Sequence, residues 1–180
     1  MNALAKDEVG RFMNRHFVAA HQRVGTFLVA DGQKQGGNVA GYFCTPDGLV
    51  LHAIAGPVDD VAFLREARWV VDTCNLTVLK KFHSELQLRA YFHKVHLQRL
   101  QTEHGISTFD PRYPGKNVPL HDWKSLWTLN HLRTGSNQGK VHLLLASDPL
   151  PRLGDVYQKV FSKILNERIS TNPVAVAGGR

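Results

Sequence analysis

At 180 residues, with 43% hydrophobic and 21% charged side chains, the chain suits one globular domain, or one domain with an extension. No apolar run nears the roughly 18 residues that span a bilayer, and the opening Met-Asn-Ala-Leu-Ala-Lys-Asp-Glu lacks the apolar stretch of a secretion signal. A cytoplasmic protein without a membrane span is expected, and its net charge of +7 favours anionic partners such as nucleic acid, acidic proteins or lipid headgroups.

The two cysteines, Cys44 and Cys74, are not a CxxC pair and are too few for a Cys-rich zinc site. They can form a disulfide only if the fold brings them together, and buried free thiols fit a reducing compartment.

A helix is expected over residues 6–13, with Val9, Phe12 and Met13 on one face and Asp7 and Glu8 near its start. Residues 16–29 then read as one interrupted strand or two short ones. The glycine-rich stretch 31–37 is a connector, and no Gly-Lys-Ser/Thr follows to make it a Walker A loop. The clearest unit comes next. Residues 39–45 and 49–54 are strand-like, and between them Thr45-Pro46-Asp47-Gly48 is a turn. Pro46 presets φ, and Gly48 can take the positive φ that closes a hairpin. Gly56-Pro57 ends the second strand, and Asp59 or Asp60 can cap a following helix. Phe63, Leu64, Ala67, Val70 and Val71 give that helix one apolar face. His52 alternates within the second strand and reads as a core or face histidine.

Asp7-Glu8-Val9, Met13-Asn14 and Phe17-Val18, with the Phe43 strand, the Pro46-Asp47-Gly48 turn and the helix over 61–71, resemble the later part of a thioredoxin-like domain. The match spans about residues 4–73. It rests on a helix ending in Asn before a Phe-Val strand, a closing hairpin and a final helix. It implies an α/β fold, a thioredoxin-like sheet with flanking helices. The family's first strand and CxxC would precede Met1, and no proline stands at 38–41 where its cis-proline would fall. No redox residue therefore carries over. Cys44 lies in a strand, not at a helix N-terminus where a thiolate is stabilised. A natural polypeptide that begins upstream and carries the missing segment is one expectation.

Residues 76–103 read as one long basic helix ended by Gly105. Lys80, Lys81, Arg89, Lys94 and Arg99 could contact phosphates of a nucleic acid. His93 and His96, at i and i+3, are weak metal candidates with His83 or His104 nearby. A basic amphipathic helix can also lie on a membrane surface. Residues 106–138 are irregular, with a short helix over 121–131 whose Trp123 and Trp127 either anchor a loop or stack on bases. Residues 140–146 are apolar enough for an internal strand. A helix over 153–168 follows, carrying Val156, Val160, Phe161 and Ile164, and 170–180 is a frayed tail. The 141–146 strand is expected to fill the central place in the sheet left by the absent thioredoxin-like opening.

The chain thus divides into a thioredoxin-like segment (1–75), a helical and loop extension (76–139) and a strand-helix unit (140–180) on the same sheet. No nucleophile elbow, His-Glu-x-x-His pair or dinucleotide fingerprint occurs, and no cofactor is implied. The expected function is a non-catalytic thioredoxin-like protein acting through binding, or the remnant of a redox protein lacking its CxxC segment. Its partner would be another protein or a second copy of the chain. The alternatives are a thiol oxidoreductase using Cys44 or Cys74, and a nucleic-acid-binding protein using the basic helix.

Overall fold

The structure is a computed structural model that describes residues 3–22, 28–30, 33–35, 39–82, 84–167, 169 and 175–176. It is a mixed helix and strand architecture, mostly helical. Helix α1 (Asp7–His16) is followed by strands β1 (Leu28–Ala30) and β2 (Gln33–Gln35), the hairpin β3 (Ala40–Cys44) and β4 (Val50–Ala55), and the long helices α2 (Asp60–Lys80) and α3 (Glu85–His104). Then come α4 (Trp123–Asn130), α5 (Asn137–Ser147), α6 (Leu153–Lys159) with a π-turn at Val160–Ile164, and β5 (Ala175–Val176). The order β2-β1-β5 makes one small sheet, and β3-β4 a separate antiparallel pair. Among the described residues, no helix is long and apolar enough to cross a membrane.

The hairpin forms for the reason the turn residues give. The Gly48 N–H donates to Thr45 O at 2.9 Å, and Gly48 sits at φ 83°, where a side chain would be strained. All six residues of β4 are buried. Asp59 caps α2, its Oδ1 accepting from the Ala62 N–H at 2.7 Å. Leu64, Ala67 and Val70 turn the buried stripe of α2 inward, as the spacing predicts.

Three expectations need correction. The 76–103 helix is two helices. α2 ends at Lys80 with Lys81 in the left-handed region, and Ser84 caps α3 by accepting from the Gln87 N–H. The first helix runs on to His16 and residues 17–22 form no strand; of the strand expected over 16–29 the end is present in β1, and residues 23–27 lie outside the described residues. Phe17 packs its ring 5.2 Å from Phe43, while Val18 is fully exposed.

The third correction is the largest: the 141–146 segment is no strand in the sheet but the middle of α5. Every residue from Val141 to Ser147 is buried. A helix enclosed on all sides carries apolar residues all round, so its sequence loses helical periodicity and imitates an internal strand. Ser136 caps it, accepting from the Gly139 N–H at 3.0 Å. α5 lies against β4, α3 and α4. The chain beyond α5 joins the hairpin's end instead: the Val50 N–H donates to Pro151 O at 2.8 Å and the Leu153 N–H to Gly48 O at 3.0 Å. α6 and the π-turn bury Val156, Val160, Phe161 and Ile164, the residues its spacing selects. His83, most of the 31–37 connector and most of the 170–180 tail lie outside the described residues.

Candidate metal centre

Where β4, α3 and α5 meet, three imidazoles converge. His52 of β4, His96 of α3 and His142 of α5 are each at most 1% exposed. One ring nitrogen from each lies within 4.8 Å of the others. Ring centroids are 5.0 Å apart for His52 and His142, and 5.2 Å for His96 and His142. Trp69 of α2 closes one wall, 4.9 Å from the His52 ring and nearly perpendicular to it.

Hydrogen bonds fix the tautomers. A carbonyl only accepts, so the His96 contact to Leu51 O at 3.1 Å places a proton on Nε2. In the neutral ring Nδ1 then carries a lone pair. His96 Nδ1 lies 3.0 Å from His142 Nδ1, so His142 donates and its Nε2 is the bare nitrogen. His52 Nε2 lies 2.9 Å from Glu66 Oε2 and donates to that carboxylate. The Gln138 amide nitrogen, 3.2 Å from His52 Nε2, is committed to Ala53 O at 2.9 Å. His52 Nδ1 and His142 Nε2 are thus buried lone pairs with no partner among the described residues. A buried unpaired polar atom costs about 1–3 kcal/mol; one of these belongs to His52, and the other is on the edge of His142 opposite to the one that meets His96.

Charge is arranged around the triad. Glu66, 2% exposed, is held by Arg99 at 2.6 and 3.0 Å, and Arg99 also grips Glu103. Burial pushes the Glu66 carboxyl up, but the His52 and Arg99 hydrogen bonds together outweigh it and keep it ionised far below the usual range. Burial drives all three histidines below their ordinary pKa. For His52 the Glu66 contact opposes that drop without reversing it. For His96 and His142 the neighbouring imidazoles add to it. The rings are therefore neutral near pH 7, the form that ligates metal. Glu66 and Glu103 are matched by two guanidiniums, those of Arg99 and of the exposed Arg65, which also binds Glu66.

Of the sequence candidates, only His96 belongs to this triad. His93 faces elsewhere, hydrogen-bonding Ala146 O at 2.8 Å and stacking on Trp123 at 3.8 Å. The basic residues part company. Arg89 binds Glu85 and Pro149 O, and Arg99 is the buried partner of Glu66. Lys80, Lys81 and Lys94, with Arg99 at the floor, line a cleft of about 850 Å³ between α2 and α3, beside Trp69, Phe82 and Tyr91. Cys44 and Cys74 are free, belong to different core clusters and have thiol pKa values raised by burial.

His52, Glu66 and His142 were missed as functional residues, although each left a signal. Glu66 falls at core spacing between Phe63 and Val70, and His142 interrupts the most apolar run of the chain. A polar residue placed where packing demands an apolar one is the mark of a buried network.

No protein-family model, curated protein or solved structure matches this chain.

Proposed function

We propose that this protein binds a divalent transition-metal ion of the zinc class through His52, His96 and His142, and acts by binding. The observation that carries the reading is the pair of oriented histidines. Metal-ligating histidines characteristically donate their second N–H to a carboxylate or backbone carbonyl. His52 does so to Glu66 and His96 to Leu51 O, which leaves the lone pair of each neutral ring on Nδ1. His142 Nδ1 completes a three-nitrogen set once an ion replaces its proton. Imidazole donors suit zinc, copper and nickel rather than magnesium or calcium. Full burial makes the site a closed one that ties β4, α3 and α5 together.

This reading keeps the binding role and refines its ligand. The hairpin followed by α2 supports a thioredoxin-like ancestry for that unit alone. The raised pKa values of Cys44 and Cys74 and their separation into different clusters favour a role without thiol chemistry. A second reading, nucleic-acid binding, draws support from the lysine-lined cleft. Lys80, Lys81 and Lys94 have no carboxylate within 4.0 Å among the described residues, and base-stacking aromatics stand beside them.

Titration of the apo protein with Zn²⁺ in a competing chelator tests the metal reading. One tightly held equivalent per chain is expected, and tight binding is lost in His52→Ala and His96→Ala variants whose circular dichroism matches wild type. Absence of binding by the folded wild type would reject it.

A further inference from the structure

Resting on the metal reading, we infer that His104 and Glu103 form, with His142, a second metal site at the rim, through which the ion reaches the triad. One ligand atom each from Glu103, His104 and His142 lie within 4.8 Å of one another. The cluster grades from surface to core: Glu103 is exposed, His104 half-buried, His142 fully buried.

The two sites share one ring and use its opposite edges. His142 Nδ1 faces His96. Its bare Nε2 is a buried, unpartnered atom, and so is His104 Nε2, with the two ring centroids 5.8 Å apart. Ser136 Oγ lies 3.2 Å from His104 Nδ1 and can take that ring's N–H, which leaves the lone pair on Nε2. Glu103 gives Arg99 one lone pair from each oxygen and keeps the other. Gly139 makes the approach of His104 to α5 possible. A Cβ there would stand 3.3 Å from the His104 ring, 3.0 Å from Ser136 Oγ and 2.8 Å from the Thr134 methyl.

Each site orients the ligand of the other. With the ion at the rim on His142 Nε2, the Nδ1–H donates to His96, the hydrogen bond already present. With the ion inside on His142 Nδ1, that nitrogen gives up its proton. Nε2 gains one from solvent through the rim, so no net proton is released, and Nε2–H then faces the His104 lone pair. A neutral imidazole has one lone pair, so one ion occupies one site at a time. Aromatic rings wall other sides of the triad. Trp69 and Phe43 lie against His52, and Phe92 lies against His96.

The test is the rate of Zn²⁺ uptake and of release into excess chelator, followed by stopped flow on the folded full chain. His104→Phe keeps a ring but removes the lone pair. Uptake is expected to slow at least tenfold with one-to-one stoichiometry unchanged, and affinity to fall because the loaded His142 Nε2–H loses its acceptor. A structural role for His104 would lower affinity or stability and leave the uptake rate unchanged. In His52→Ala, one weakly held, fast-exchanging Zn²⁺ should remain, and His52→Ala/His104→Phe should lose it. A wild-type uptake rate in His104→Phe would overturn the rim site and leave the triad standing. A wild type that binds no Zn²⁺ would overturn both.

Discussion

His96 and His142 meet nitrogen to nitrogen, Nδ1 to Nδ1 at 3.0 Å, with both residues buried in the core. Such a contact holds only if one ring donates and the other accepts, so the accepting ring, His96, cannot be doubly protonated. In a tetrahedral zinc site with bonds of about 2.0–2.1 Å, neighbouring nitrogens stand about 3.4 Å apart. The pair needs to open by only a few tenths of an ångström to accept an ion in place of the proton.

Acid should therefore unfold the metal-free protein earlier than its carboxylates alone would require. His52, His96 and His142 have folded-state pKa values below the ordinary value, so the unfolded chain binds more protons as pH falls through about 6.5. Stability rises with pH wherever the unfolded state holds more protons, so the loss begins on acidification below about 6.5. Three such groups give a limiting slope of about 4 kcal/mol per pH unit. Glu66 adds to the loss in the same direction below its unfolded pKa of about 4.5. Urea unfolding of apo protein from pH 8 to 5 measures this. A flat profile between pH 7 and 5.5 would show that the rings are not held neutral.

Zinc should raise the melting temperature. An ion that binds only the native state contributes about 2.7 kcal/mol at a free concentration of 100 Kd. For a chain of this length that corresponds to roughly 5–10 °C. Differential scanning calorimetry with and without Zn²⁺, at fixed pH, reads the shift. Ca²⁺ and Mg²⁺, which prefer oxygen ligands, should leave the melting temperature unchanged.

Glu66→Gln should weaken zinc binding without changing its stoichiometry. The carboxylate holds His52 in the tautomer that presents Nδ1, and loss of such a partner typically costs 10–100-fold in affinity. Arg99→Met has a different signature. It strands Glu66 in the core with only His52 and the exposed Arg65 beside it. Removing one member of a buried pair costs about 3–5 kcal/mol. Isothermal titration calorimetry on the first variant and urea unfolding of the second separate a change in affinity from a change in stability.

Sequence and structure agree where a local rule decides. Pro46 and Gly48 announce the hairpin turn, Asp59 announces α2, and the apolar stripe from Leu64 to Val70 announces the buried face. They diverge where burial removes the pattern. α5 is enclosed on every side, so its residues carry no periodicity. The break between Lys80 and Ser84 carries neither Gly nor Pro, because the chain turns on a non-glycine residue in the left-handed region. Of the metal centre, only His96 was legible. The triad joins residues 44 and 46 positions apart, on a strand and two helices, and no spacing rule spans such separations.

Gly139→Ala should destabilise the protein although alanine is the better helix former. Inside α5 the exchange would ordinarily gain up to about 1 kcal/mol. Here the added methyl meets the Thr134 methyl at 2.8 Å, closer than carbon atoms can pack, as well as Ser136 Oγ at 3.0 Å and the His104 ring. Thr134 is buried and its hydroxyl donates to Asn130 O, so it cannot simply swing away. Overpacking of this kind costs about 1–3 kcal/mol, and the balance is a net loss. A melting temperature a few degrees below wild type is expected, with a larger drop for Gly139→Val. The displaced ring is His104, so Zn²⁺ uptake should slow in the same variant. An equal or higher melting temperature for Gly139→Ala would show that α5 and His104 do not pack together this closely.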